Sequence, residues 1–155
     1  MKLILRSLPF VLLVVLLTLT IAALAGQKGS KVTSITIEHT PCYGTCPVWK
    51  AVLKPDGSVV YTGEAHAPRV GKFTGQFFDG SWEHLVTAAD MLDIYHAPRY
   101  GRPIRDVTFT IITIVRGGKT YVTQHSGGDV ATGPWAFGRL VDSVVGDVSE
   151  FKKVR

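Results

Sequence analysis

The hydrophobic positions keep two rhythms, and the places where one gives way to the other divide the chain. In "VTSITIEH", Ile35 and Ile37 face one way and Ser34, Thr36 and Glu38 the other, the two-residue period of a strand with one buried side. "VWKAVLK" groups Trp49, Ala51 and Leu53 against Lys50 and Lys54. "PDG" (residues 55–57) then forms a turn, because proline presets the first corner and glycine takes the left-handed position. "SVVYTGE" returns, so Val48 to Glu64 reads as a hairpin. The glycine-punctuated "APRVGKFTGQF" reads as a loop and a short strand near Lys72 to Phe77.

The period then changes to that of a helix. Trp82, Leu85, Val86, Ala89 and Leu92 share one stripe, with Asp79 or Ser81 as the cap. Tyr95 to Asp106 holds two prolines and a glycine and predicts an irregular connection. "VTFTIITIV" is β-branched and apolar on both faces, as in a central strand. Gly117 and Gly118 turn it into "KTYVTQH", a second hairpin, and "SGGDVATGP" is a loop. Thr132 and Pro134 open a last helix with Phe137, Leu140, Val141, Val144 and Val148 on one stripe. The order is ββ(β)α–ββ–α. Hairpins with separate helices predict an α+β fold, an antiparallel sheet with two helices packed on it.

The N-terminus changes the picture. Lys2 and Arg6 precede an almost wholly apolar run from Leu8 to Leu24, and Ala23-Leu24-Ala25 places small residues where a signal peptidase acts. This is the layout of a secretory signal peptide over residues 1–25, followed by a single exported domain over residues 26–155. The rival is an uncleaved anchor, since 17 apolar residues are at the lower limit for crossing a bilayer. Membrane contact is expected only through that segment, and only if it is left uncleaved. No cysteine follows the run, which argues against a lipid anchor. Residues 26–155 keep all 12 acids and 15 of the 17 bases, a net charge of +3. The bases are scattered singly, so nucleic-acid binding is not expected.

The chemistry concentrates in "HTPCYGTCPVW", which contains both cysteines. An exported chain meets an oxidising compartment, where neighbouring thiols pair. Cys42 and Cys46 are near enough to form a structural disulfide, with Pro41 and Pro47 stiffening its shoulders. A redox centre would favour C-x-x-C at a helix start, and the spacing here is C-x-x-x-C before a strand. A metal loop would need further ligands, and His39 is the available one. The disulfide is the favoured reading; redox, metal-binding or enzymatic roles centred on Cys42, Cys46 and His39 form the alternative.

The same stretch resembles a bacterial family of small exported domains of unknown function. Its mark is T-P-C-[FY]-G-T-C-P after the first strand, matched by Thr40, Pro41, Cys42, Tyr43, Gly44, Thr45, Cys46 and Pro47. A hairpin with Asp56-Gly57, then Tyr61 and Gly63, follows the pattern. Trp49 stands where the family usually has tyrosine. Looser matches are a helix near Leu85, Asp106 before the central strand, the Gly118-Lys119 turn, and Leu140 with Asp142 on the last helix. The resemblance covers about Val32 to Val148. It implies export and this order of elements, and no reaction.

No other motif carries chemistry. The histidines His39, His66, His84, His96 and His125 are dispersed and read as surface or edge residues. Ser126-Gly127-Gly128-Asp129 lacks the context of a nucleophile elbow. Arg105 and Asp106 read as exposed or capping groups, and Trp49 and Tyr61 as core. The expectation is a non-catalytic binding domain without metal or cofactor. Its partner would be a protein or another envelope component. Its candidate contact residues are Tyr43, Thr40 and Thr45 on the stapled loop.

Overall fold

The computed structural model describes residues 31–101 and 106–154. The expected leader, its expected Ala23-Leu24-Ala25 cleavage site and Arg105 lie outside these residues. Seven strands follow in chain order: β1 (Val32–His39), β2 (Trp49–Leu53), β3 (Ser58–Gly63), β4 (Gly71–Gln76), β5 (Phe109–Arg116), β6 (Lys119–Ser126) and β7 (Lys152–Lys153). They form one antiparallel sheet in the order β6-β5-β1-β2-β3-β4-β7. Helix α1 (Ser81–Met91) separates β4 from β5, and α2 (Gly133–Val145) follows β6. The fold is α+β, a seven-stranded antiparallel sheet carrying two helices.

The alternation in the sequence sets which side of the sheet is covered. Ile35 and Ile37 of β1 are fully buried, as are Ala51, Leu53, Val59, Ile112 and Ile114 of the neighbouring strands. Against them pack Trp82, Leu85 and Ala89 from α1 and Phe137, Val141 and Val145 from α2. The alternate positions face away. There Thr36 lies between Thr113 and Val52, with Val60 beyond, all half-buried among β-branched neighbours. On that side Lys50 pairs with Glu38 at 3.5 Å, an exposed contact worth under about 1 kcal/mol. The expected hairpin from Val48 to Glu64 is present, and Gly57 turns it at φ 80°. The apolar strand β5 is interior, flanked by β1 and β6.

Three details differ from the sequence expectation. The N-cap of α1 is Gly80 in the left-handed region, without a side-chain cap, in place of Asp79 or Ser81. The helix stops at Met91, so Leu92 is its partly exposed C-cap; Ile94 takes the buried place after a turn in which its N–H donates to the Ala89 carbonyl at 3.0 Å. In α2 the Thr132 cap holds, its hydroxyl oxygen accepting the Trp135 N–H at 3.3 Å. Val148, however, lies beyond the helix in a 3-10 turn, where it is still buried in the core, as is Val145 at the end of the helix.

Two irregular segments finish the sheet edges. The Tyr100 N–H donates to the Gln124 carbonyl at 2.8 Å, and the Thr123 hydroxyl donates to the Pro98 carbonyl at 2.8 Å. The stretch from Pro98 to Tyr100 thus lies along β6, covering hydrogen-bonding groups that an open edge would expose. At the other edge, Arg69 Nη1 donates to the carbonyls of Val148, Ser149 and Phe151, while its guanidinium lies 3.8 Å from the Phe73 ring centre. This clasp seats the tail so that β7 pairs with β4.

Leu85 is fully buried between α1 and the sheet. Leu85→Ala is expected to cost about 2–5 kcal/mol, the usual range for emptying a well-packed leucine site. Urea unfolding checks this; an unchanged midpoint would mean that the helix face is not seated as described.

Candidate functional site

The loop between β1 and β2 is fastened at both ends before any sulfur is considered. The Thr40 N–H donates to the Phe109 carbonyl, and the Phe109 N–H donates to the Thr40 hydroxyl oxygen, each at 2.9 Å. At the far end, Val48 N–H donates to the Ala65 carbonyl, and Glu64 N–H to the Val48 carbonyl. Between these anchors Cys42 and Cys46 form a disulfide, their Cα atoms 5.7 Å apart. By chain-entropy bookkeeping a ring this short is worth about 2 kcal/mol, so its main effect is on the shape of the loop. Tyr43, inside the ring, is 90% exposed. Thr45 is exposed as well, whereas Thr40 is half-buried and its hydroxyl supports β5. The three candidate contact residues therefore divide: Tyr43 and Thr45 are presented, and Thr40 holds the loop in place.

Behind the loop lies a polar cluster that the sequence reading did not assemble. The pairings of β1 with β5 and of β5 with β6 set His39, Thr110 and His125 in one row across three strands. Helix α2 lies over this row. His39 Nε2 is 3.0 Å from Asp142 Oδ1, and its Nδ1 is 3.4 Å from the Thr110 hydroxyl. A carboxylate only accepts, so Nε2 donates to Asp142 and Nδ1 can accept from Thr110. The Trp49 ring lies 4.4 Å from His39 and leads to Tyr61 and Phe73 in a file of aromatic contacts across β2, β3 and β4.

His125 lies on β6, the edge strand of the sheet, yet it is buried, 5% exposed, and not a surface residue. Its Nδ1 lies 3.2 Å from the Ser126 carbonyl, which can only accept, so that nitrogen carries the proton. Among the described residues Nε2 has no hydrogen-bond partner, and it points at Gly138 of α2. A Cβ at position 138 would lie 2.7 Å from it. A mid-helix glycine is unfavourable by about 1 kcal/mol relative to alanine; here it lets the helix approach the strand. Burial holds the His125 imidazole below its ordinary pKa, opposed by the Ser126 carbonyl and Asp142.

The hydroxyl–imidazole–carboxylate order of Thr110, His39 and Asp142 has the outline of an acyl-transfer triad. Thr110 is sealed under the helix at 6% exposure, which gives the arrangement a structural part: it ties α2 to β1 and β5. Nor do Cys42, Cys46 and His39 form a ligand set. The sulfurs are bonded to each other, and both His39 ring nitrogens are directed at Asp142 and Thr110. Among the described residues, no three of His, Cys, Asp and Glu form a group that could hold a metal ion.

The segment carrying both features, residues 33–144, matches the family model described as a domain of unknown function (DUF6438). The chain belongs to that family. Its matched region runs from β1 into the last turn of α2 and so contains the stapled loop, His39, Thr110, His125 and Asp142; the Arg69-clasped tail lies beyond it. A search of curated proteins finds no match.

The burial of His125 sets the sign of a pH effect. The unfolded chain takes up a proton near the ordinary histidine pKa of about 6.5, and the folded chain does so only at lower pH. This contribution to stability is therefore complete above about pH 6.5 and is lost as pH falls below it. Urea midpoints measured between about pH 7.5 and 5 are expected to fall more steeply for the native chain than for His125→Asn. Parallel curves would show that the imidazole is not held neutral.

Proposed function

We propose that this DUF6438 chain is an exported, non-catalytic interaction domain that meets its partner through the stapled loop. The observation that carries the reading is Tyr43, 90% exposed within a five-residue ring closed by Cys42 and Cys46. A tyrosine is a large amphipathic contact with few rotatable bonds. A ring closed by sulfur and seated on Phe109 and Ala65 has little conformational freedom left to lose on binding. Thr45 adds an exposed hydroxyl beside it. The partner is a protein or another envelope component, and the reading calls for no cofactor.

Two features support export: the apolar leader ending in Ala23-Leu24-Ala25, and an oxidised cysteine pair of the kind that persists in oxidising compartments. Intact-mass measurement of protein recovered outside the cytoplasm is expected to find Gly26 at the N-terminus. Recovery of the chain from membranes with Met1 retained would replace cleavage with an anchor.

Tyr43→Ala tests the contact surface. Because the side chain is solvent-exposed, stability is expected to change by no more than about 0.5 kcal/mol. Chemical cross-linking in an envelope extract should lose the adducts formed by the native domain. A large fall in stability with the adducts kept would make the loop architectural.

A further inference from the structure

At the end of the sheet away from the stapled loop, the chain leaves β4 through Phe77 and Phe78 and enters α1. Phe77 turns inward, 9% exposed, and Phe78 outward, 88% exposed. Both line two hollows. One, about 370 Å³, is walled by Phe77, Val144, Val145 and Phe151. The other, about 240 Å³, lies against Trp82 and the Pro55–Gly57 turn. The first offers an apolar floor, the second a more polar extension of it, and the exposed Phe78 ring stands between them.

The charged side chains that line that floor are all acidic. Asp147 and Glu150 line the first hollow, and Asp56, Asp79 and Glu83 line the second. These are five of the chain's 12 acids, in a protein with 17 lysines and arginines. Yet no lysine or arginine lines either hollow among the described residues. The nearest bases stand just outside: Lys54 acts on Asp56, and Lys152 lines an adjoining hollow that shares Gly75, Gln76 and Glu150 with the first and opens on Val60 and Thr74 of the uncovered side of the sheet. Hydrogen bonds from Ser58 hold the Asp56 carboxyl below the usual range, and those from Ser149 do the same for Asp147, so these two carboxylates stay ionised in mild acid.

We infer that this acid-rimmed aromatic groove is a second binding surface, and that its occupant is a cationic peptide segment with an apolar anchor flanked by lysine or arginine. The first hollow falls in the size range of sites that enclose side-chain-sized groups. Phe78 supplies the contact area typical of an interface anchor. The one-signed rim sets the partner's charge, because unlike charge is drawn to it and like charge is rejected. The surface is distinct from the Tyr43 loop: Glu64, next to that loop, follows the opposite end of β3 from the Pro55–Gly57 turn.

The test titrates the natively produced protein with a fluorescein-labelled, end-blocked heptapeptide alternating lysine and leucine. Saturable binding is expected, weakening as salt is raised, with no binding of the glutamate–leucine counterpart. Phe78→Ala and Glu83→Lys should each weaken binding by about tenfold or more without lowering the melting temperature. Glu150→Lys repeats the charge test at the other hollow if Glu83→Lys disturbs the first turn of α1. Glu64→Lys, the same change of charge at the far end of β3, and Tyr43→Ala should leave binding as it was. Three results would overturn the inference: no binding of the lysine–leucine peptide, an equal loss from Glu64→Lys, or a concentration-dependent dimer abolished by Phe78→Ala, which would assign the groove to a second copy.

Discussion

The close seating of α2 on the sheet is the constraint on which the rest of the structure depends. A strand row made of His39, Thr110 and His125 is a poor floor for a helix, since each side chain brings polar atoms that burial would strand. The helix meets the row with two residues one turn apart. Asp142 takes the His39 proton donor, and Gly138 makes room for the His125 ring. With these in place, Phe137, Val141 and Val145 reach the aliphatic core, and the chain leaves the helix where Arg69 can grip it. The polar row is also continuous with the aromatic file from Trp49 to Phe73, on which Arg69 rests. A helix lifted off the strands would therefore loosen both its own start and the tail that follows it.

How much of this the sequence discloses depends on the range of the interaction that decides each element. Strands β1 to β3 are legible because one face of each is apolar enough to mark the period, and β5 because it is β-branched and apolar on both faces. The Pro55–Gly57 turn and the Thr132–Pro134 helix start are legible because their chemistry is local. Strand β6 marks no face: its inward residues include Thr123 and His125, while the apolar Val122 points out at 39% exposure. The burial of His125 was therefore invisible. The His39–Asp142 contact joins residues 103 positions apart, so His39 suggested only a ligand, and Asp142 stood out only through resemblance. The Gly80 cap escaped for a different reason. Asp79 and Ser81 are better capping residues by type, and the left-handed turn after Phe78 overrides that preference. Strand β7 is two residues long and exists because Arg69 and β4 hold it.

The two surfaces proposed for this domain use rigidity differently. The loop after β1 is a local device, in which sulfur, proline and backbone hydrogen bonds fix one tyrosine in solvent. The groove beside Phe78 is a product of tertiary packing, since α1, α2, β4 and the tail each supply part of its wall. Damage to the disulfide would alter the first and leave the second in place. Loss of the Arg69 clasp would do the reverse, because Phe151 walls the groove and its carbonyl is one of those gripped.

The strand order also sets a timetable. β1 is the spine of the sheet, yet its two neighbours come from opposite halves of the chain: β2 ten residues on from His39, and β5 after α1 and the proline-rich connection. Synthesis proceeds from the N-terminus, so β1 to β4 can zip as a meander of nearest neighbours while half of the spine's hydrogen bonds wait unpaired. Closure belongs to the β5–β6 hairpin and α2, the last large elements made. Truncation before Phe109, or a protease cutting there, would leave a four-stranded half with Ile35 and Ile37 uncovered by α2 and an open edge along β1. Such a fragment is built to pair with whatever strand it meets first.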